Sequence, residues 1–175
     1  MEFLVLSRHA VEDDFRACFI SKPHINISIG DPELESANLP ENEARKAELF
    51  MKFHDIDLRH ERFINGEAKY VLFNEDMAEV ILDFVDLHVL DIELIVINCE
   101  AGISRSRGTA CALAKILNNR DDDLFNQGCP NMKVYNTILN KYFMEMNYHN
   151  RWANIYEVRK RSLPKLDCEI FEDEE

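Results

Sequence analysis

Residues 94–117 read LIVINCEAGISRSRGTACALAKIL, and this stretch decides the fold. It begins with an apolar run that lacks polar alternation, which is the pattern of a strand buried on both faces of a mostly parallel sheet. It ends with an Ala- and Leu-rich segment that is apolar on almost every side, which predicts a core helix. A short loop of small residues lies between the two. Strand, tight loop and helix N-terminus together gather backbone N–H groups and the positive end of a helix dipole, so the sequence predicts an anion site here.

Two reactive residues stand at the ends of that loop. Cys99 opens it and Arg105 closes it, with five residues between them. A thiol that faces backbone N–H groups and a guanidinium loses its proton more readily than a free cysteine, so we expect a thiolate nucleophile at neutral pH. The planar guanidinium offers paired donors that match two oxygens of a phosphate. The sequence therefore predicts a phosphate held above a sulfur nucleophile, which is the arrangement needed for an in-line displacement.

The loop CEAGISRS, residues 99–106, resembles the signature of the cysteine-dependent protein phosphatases, which is Cys-x5-Arg followed by Ser or Thr. Its Ala-Gly-x-Ser-Arg-Ser run is similar to the dual-specificity branch of the protein tyrosine phosphatase family. A bare Cys-x5-Arg occurs often by chance, but here it lies between a strand pattern and a helix pattern. One position departs from the family, because Asn98 stands where a His usually precedes the cysteine. Its amide can orient the loop by hydrogen bonding but does not titrate.

The resemblance implies a role for each residue of the loop. Cys99 would attack phosphorus and form a phosphocysteine intermediate, and Ser106 would hydrogen-bond the departing thiolate when water cleaves that intermediate. The Arg105 guanidinium would bind the phosphate oxygens, together with the N–H groups of Glu100, Ala101, Gly102, Ile103, Ser104 and Arg105. This chemistry requires no metal or organic cofactor.

The reaction also needs a general acid, because the oxygen of a phosphate ester leaves poorly unless it is protonated, and a positioned acid contributes about 10² to 10⁴ in rate. The family keeps this acid after a strand upstream of the cysteine. By that resemblance we expect it to be Asp55, shortly after a predicted strand that ends at Phe53, with Asp57 as the reserve. Two His and two Asp in residues 54–60 also have the residue types of a metal site. Their spacing is not a recognised one, so we expect no metal.

The rest of the chain predicts alternating strands and helices. Strands are predicted over Phe3–Arg8, His24–Ile29 and Glu48–Phe53 and from Leu94, and helices over Val11–Ala17, Asn74–Val85, Ser106–Leu117 and Val134–Phe143. In the 74–85 helix, the predicted buried stripe is Met77, Val80, Ile81, Phe84 and Val85. This order predicts a single α/β domain with a central, mostly parallel twisted sheet flanked by helices, and the resemblance implies a protein tyrosine phosphatase-like fold. We expect residues 1–165 to form the catalytic domain and residues 166–175 an acidic C-terminal tail.

Composition excludes several classes of function. The chain has 175 residues, 46% of them hydrophobic and 30% charged, which is typical of a globular protein. A net charge of −13 repels nucleic acid. No membrane span or signal peptide is recognisable, so we expect a soluble, cytoplasmic protein that binds neither nucleic acid nor membrane. Five cysteines without a CxxC pair argue against a disulfide framework and fit a reducing compartment.

These patterns predict a phosphomonoester hydrolase with a cysteine nucleophile, and the resemblance implies a dual-specificity or tyrosine protein phosphatase. Its substrate would be a phosphorylated protein or a small phosphomonoester, and phosphate, sulfate or vanadate would bind in the loop. Two alternatives stay open: a binding-only pseudophosphatase, and a phosphatase of a non-protein phosphate ester. Glu100 and Ile103 add no positive charge to the loop, which disfavours a highly charged substrate.

Overall fold

The computed structural model describes residues 1–13, 20–61 and 69–145 of the chain. Residues Met1–Met144 form one compact unit. The predicted boundary at residues 165 and 166, and the end of the predicted Val11–Ala17 helix, lie outside the described residues. In the described ranges the strands are β1 (Glu2–Ser7), β2 (His24–Gly30), β3 (Arg45–Lys52) and β4 (Leu94–Cys99). The helices there are α1 (Arg8–Glu12), α2 (Leu58–Glu61), α3 (Glu75–His88), α4 (Arg105–Asn118), α5 (Asp122–Phe125) and α6 (Met132–Glu145).

The strands pair in parallel in the order β1-β4-β2-β3. Every residue of the inner strand β4 is buried, so both faces of the sheet are covered there. Helix α4 packs against β1, β4 and β2, helix α3 against β3, and helix α1 against β1 and β4. The predicted fold class, an α/β domain with a parallel sheet flanked by helices, is confirmed.

Strand β2 alternates Ile with polar residues, and both sets of side chains are buried. His24, Asn26 and Ser28 are only 2–3% exposed. Buried polar groups require partners: His24 Nδ1 lies 2.9 Å from the main-chain oxygen of Lys22, and Asn98 of the neighbouring strand pairs with Asn26 and Ser28. The Asn26 amide donates to Asn98 Oδ1 at 3.1 Å, and the Asn98 amide donates to Ser28 Oγ at 3.0 Å. Asn98, which directly precedes Cys99, therefore joins the two inner strands through its side chain.

Helix α3 begins as predicted, with Asn74 Oδ1 accepting a hydrogen bond from the Met77 N–H at 3.0 Å. The predicted buried stripe is wrong in part, because Val80 is 47% exposed. The buried positions of the helix are Ala78, Ile81, Leu82 and Val85, which follow the i, i+3, i+4, i+7 spacing of one helix face. Compared with the predicted stripe, the buried face is rotated about the helix axis towards Ala78 and Leu82, so Val80 points away from the core.

Helix α4 is the core helix that the sequence predicts. Of its 14 residues, all but Lys115, Leu117 and Asn118 are buried. At Gly108 a Cβ would lie 2.6 Å from the main-chain oxygen of Asn131, so the start of α6 approaches α4 more closely than any side chain would permit. Among the helices of the described ranges, none is long and apolar enough to cross a membrane.

Candidate active site

The candidate site lies at the carboxyl edge of the sheet, where Cys99 is the last residue of β4. Parallel strands bring their carboxyl ends to one edge, and ligands of open α/β sheets bind outside that edge. Cys99 is 2% exposed, and its Sγ lies 3.0 Å from Ser106 Oγ in the first turn of α4. The structure thus brings together the predicted nucleophile and the predicted partner of its thiolate.

The loop from Glu100 to Ser104 is held tightly against β1. Gly102 has a φ of +72°, and a Cβ there would lie 2.7 Å from backbone atoms of Leu6 and Ser7, so the loop needs a glycine at this point. The Arg8 N–H donates to the main-chain oxygen of Glu100 at 3.2 Å, and Arg8 Nη1 donates to Glu100 Oε1 at 3.3 Å. Arg8, which sequence analysis missed, therefore fixes the start of the loop.

Arg8 remains a cation in this setting. The carboxylate of Glu12, together with that of Glu100, raises the pKa of the Arg8 guanidinium. The same side chain donates to the main-chain oxygens of Glu35 and Ser36. Arg8 thus links the start of the cysteine loop to the segment that follows β2.

Ser104 stands at the N-cap position of α4, but its side chain does not cap the helix. Its hydroxyl instead donates to Asp55 Oδ1 at 2.7 Å. The first N–H groups of α4 consequently lack a side-chain cap, and such groups bind anions at helix N-termini. The N–H groups of α4 without a side-chain cap, and the Ser104 hydroxyl directed away from them, favour the binding of an anion in the space that the loop encloses.

Arg105 is 3% exposed and turns one nitrogen towards protein acceptors. Its Nη1 donates to Asp31 Oδ1 at 2.8 Å and to the main-chain oxygen of Phe53 at 2.6 Å. Its Nε is buried and has no hydrogen-bond partner among the described residues. Nε and Nη2 form the edge of the guanidinium opposite the Asp31 contact, and that edge is the one that can take two oxygens of an anion.

Asp31 is a site residue that sequence analysis missed, because the run Gly30-Asp31-Pro32 predicts only a turn. It directly follows β2, the neighbour of β4, so its carboxylate reaches Arg105 across 74 residues of sequence. Knowledge that β2 is the neighbour of β4 would have indicated Asp31 as a site residue, whereas the cysteine loop motif does not include it.

The two candidate acids, Asp55 and Asp57, lie in different surroundings. Asp55 Oδ1 accepts from Ser104 Oγ at 2.7 Å and from Asn131 Nδ2 at 2.9 Å, so it contacts the cysteine loop. Asp57 Oδ1 accepts from the N–H group of Leu58, the first residue of α2, and from the N–H group of Lys133 in the first turn of α6. The structure therefore brings Asp55 to the loop and Asp57 to two helix starts.

Asn131 connects Asp55 to the loop a second time. It is 1% exposed, its N–H donates to the Ser104 oxygen at 3.1 Å, and its Oδ1 accepts from the Val134 N–H at 3.1 Å. Because both Oδ1 and Nδ2 of the side-chain amide are hydrogen-bonded, the side chain is fixed with Nδ2 directed at Asp55.

The other cysteines of the described ranges have contrasting environments. Burial raises the pKa of the Cys111 thiol to about 12, so this core residue stays protonated. Cys129 is exposed. Within residues 1–13, 20–61 and 69–145, no three His, Cys, Asp or Glu side chains are grouped so as to hold a metal ion.

No protein-family model and no curated protein matches the chain. Among solved structures, it is similar to the human tyrosine phosphatase-like serine/threonine/tyrosine-interacting protein, with 15% identity over 77% of this chain and 78% of that one, at a TM-score of 0.45. It is also similar to Tk-PTP in its active form, with 13% identity over 91% of this chain and 90% of that one, at a TM-score of 0.37.

Proposed function

We propose that this chain hydrolyses phosphomonoesters with Cys99 as the nucleophile, as a dual-specificity or tyrosine protein phosphatase. The single observation that carries the proposal is the contact between Ser104 Oγ and Asp55 Oδ1 at 2.7 Å. It joins the nucleophile loop directly to a carboxyl group that can serve as the acid.

The anion-binding half of the site supports this reaction. The uncapped N-terminus of α4 and the unpartnered Nε of Arg105 are donors without a protein acceptor in the described part of the chain. A phosphate that rests on the loop satisfies both, and its three equatorial oxygens receive the charge stabilisation that phosphoryl transfer needs. A buried donor without a partner is costly, so binding an anion also stabilises the folded chain.

The proposed reaction has two steps. The Cys99 thiolate attacks phosphorus, an S–P bond forms as the ester P–O bond breaks, and Asp55 gives its proton to the leaving oxygen. A water molecule then attacks the phosphocysteine while the Asp55 carboxylate takes its proton. The S–P bond breaks, phosphate leaves, and Ser106, 3.0 Å from the sulfur, donates a hydrogen bond to the returning thiolate.

The proposal also covers substrate and compartment. The substrate is a phosphorylated protein side chain or a small phosphomonoester, because the loop residues Glu100 and Ile103 add no positive charge for a polyphosphate. A catalytic thiolate needs a reducing environment, so we propose that the protein acts in the cytoplasm.

The test is hydrolysis of 4-nitrophenyl phosphate between about pH 5 and 8, with chelator and reductant present. We expect turnover in the wild type that is lost in Cys99→Ser and kept in the matched control Cys129→Ser, since Cys129 is exposed. Binding of vanadate without any turnover would instead identify a binding-only pseudophosphatase. Turnover that survives Cys99→Ser would overturn the thiolate mechanism.

A further inference from the structure

His54, the residue directly before Asp55, is held at both of its ring nitrogens. Its Nδ1 accepts from the Val71 N–H at 2.9 Å, and its Nε2 lies 3.0 Å from Glu33 Oε1. Its main-chain N–H also donates to the Val71 oxygen at 2.9 Å. The side chain is only 14% exposed, and the ring of Tyr70 packs against it edge-on at 5.2 Å.

These partners assign the tautomer of the ring. A backbone N–H can only donate, so Nδ1 must carry a lone pair and not a proton. The proton of the neutral imidazole therefore lies on Nε2, from which it is donated to the Glu33 carboxylate. The same hydrogen bond contributes to a lowered pKa of Glu33, after the larger contribution of the Glu33 main chain.

The segment after β2 touches both halves of the site. Asp31 pairs with Arg105 at 2.8 Å, and Glu33, two residues later, pairs with His54. One short segment thus connects the guanidinium that binds phosphate with the residue beside the proposed acid. Glu33 itself is 67% exposed, so its side chain is not a core element.

We propose that His54, clamped between Glu33 and Val71, is a positioning residue for Asp55. This inference rests on the proposed function, in which Asp55 is the general acid. His54 does not touch substrate; it fixes the backbone that leads into Asp55, so that the carboxyl group stays against Ser104. Without the clamp the acid loses its alignment, whereas the Cys99 loop keeps its anion site.

The test compares two substrates by kcat/KM, which reports the step that breaks the ester bond. Phenyl phosphate releases a phenol about as basic as tyrosine, with a pKa of about 10, and depends on the acid, whereas 4-nitrophenyl phosphate releases a much better leaving group. In Glu33→Ala and His54→Ala we expect kcat/KM to fall about tenfold on phenyl phosphate and less than about twofold on 4-nitrophenyl phosphate. The inhibition constant of inorganic phosphate should not change.

Three further variants complete the design. His54→Asn places an amide oxygen where Nδ1 accepts from Val71 and should recover part of the loss on phenyl phosphate. Glu35→Ala is the matched control on the same segment, since its contact with Arg8 is through the main-chain oxygen. Asp55→Asn removes the acid itself, so it should give the largest difference between the losses of kcat/KM on the two substrates.

Equal losses on both substrates would overturn the inference, because they would show a merely structural role. Unchanged rates on both would overturn it as well. In either case Cys99-dependent turnover in the wild type would leave the proposed function intact. A wild type without turnover would overturn the proposed function and this inference with it.

Discussion

Ser104 Oγ donates a 2.7 Å hydrogen bond to Asp55 Oδ1, across 49 residues of sequence. A serine at the N-cap position usually binds the backbone N–H groups of its own helix. Here the hydroxyl is directed to the carboxyl group of Asp55, which lies three residues after the end of β3. The nucleophile loop and the proposed acid are consequently one hydrogen-bonded unit.

Removing this contact should impair acid catalysis. In Ser104→Ala we expect kcat/KM on phenyl phosphate to fall by up to about tenfold, because Asp55 is protonated in this step and a hydrogen bond between neutral groups contributes about 0.5 to 1.5 kcal/mol. The loss on 4-nitrophenyl phosphate should be smaller, since that leaving group needs less help from an acid. Ser36→Ala, an exposed serine on the segment after β2, is the control and should be unchanged. A Ser104→Ala variant with wild-type kinetics on both substrates would contradict the coupling.

Substitution of Asp55 should lower activity, whereas substitution of Asp57 should lower stability. Asp55→Asn should lower kcat/KM on phenyl phosphate by about 10² to 10⁴. Asp57→Ala removes an acceptor for two helix-start N–H groups, so it should lower the free energy of unfolding by about 1 kcal/mol. Its activity per folded molecule should be retained. Urea unfolding and steady-state kinetics on the same samples decide this, and the reverse outcome would make Asp57 the acid.

Gly102 and Gly30 form a matched pair for the geometry of the loop. Gly102→Ala puts a Cβ 2.7 Å from the β1 backbone at a φ of +72°, so it should cost about 1 to 3 kcal/mol and weaken phosphate binding. At Gly30 the nearest atom to an added Cβ is Glu100 Oε1 at 4.0 Å, so Gly30→Ala should be nearly neutral. Urea unfolding gives the stabilities, and phosphate inhibition gives the affinities. Similar costs at both positions would contradict the close approach of the loop to β1.

The Asp31–Arg105 pair should link stability to anion binding. Asp31→Asn leaves the buried guanidinium without its charged partner, so the free energy of unfolding should fall by about 1 to 3 kcal/mol in phosphate-free buffer. Phosphate should recover more stability in this variant than in the wild type, because the anion replaces the missing charge and no longer meets a carboxylate. Thermal unfolding against phosphate concentration measures both effects.

The control for that experiment is Asp123→Asn. Asp123 pairs with Arg120 at a similar 2.7 Å, but the two side chains are 71% and 66% exposed. Exposed pairs contribute little, so we expect a change below about 1 kcal/mol and no phosphate dependence. An equal response of the two variants would remove the special role of Asp31.

Site residues can be predicted from the sequence when the residues that they contact are close to them along the chain. The loop from Cys99 to Ser106 is contiguous, and its flanking strand and helix patterns are local, so its placement follows directly. The contact of Asp55 with the loop agrees with its expected position after β3. Asp31 and Glu33 were missed because their partners, Arg105 and His54, are 74 and 21 residues away and meet them only through the order of the strands.

Some features of the fold also depend on contacts that are distant in sequence. Strand β2 alternates Ile with polar residues, although it is an inner strand and both of its faces are covered. Asn26 and Ser28 are polar because they bind Asn98 across the sheet. The error at Val80 is a rotation of the helix face, which hydrophobic spacing alone does not resolve when apolar residues occur on several sides.

The most direct test of the central claim is a search for the phosphocysteine. Ser106→Ala removes the hydroxyl 3.0 Å from Cys99 Sγ, which should make the thiolate a poorer leaving group and let the intermediate accumulate. After reaction with 4-nitrophenyl phosphate and acid quench, mass spectrometry should find one phosphoryl group on the peptide that contains Cys99, and none in Cys99→Ser. Turnover with no phosphoryl group on Cys99, or with the group on another residue, would contradict the account.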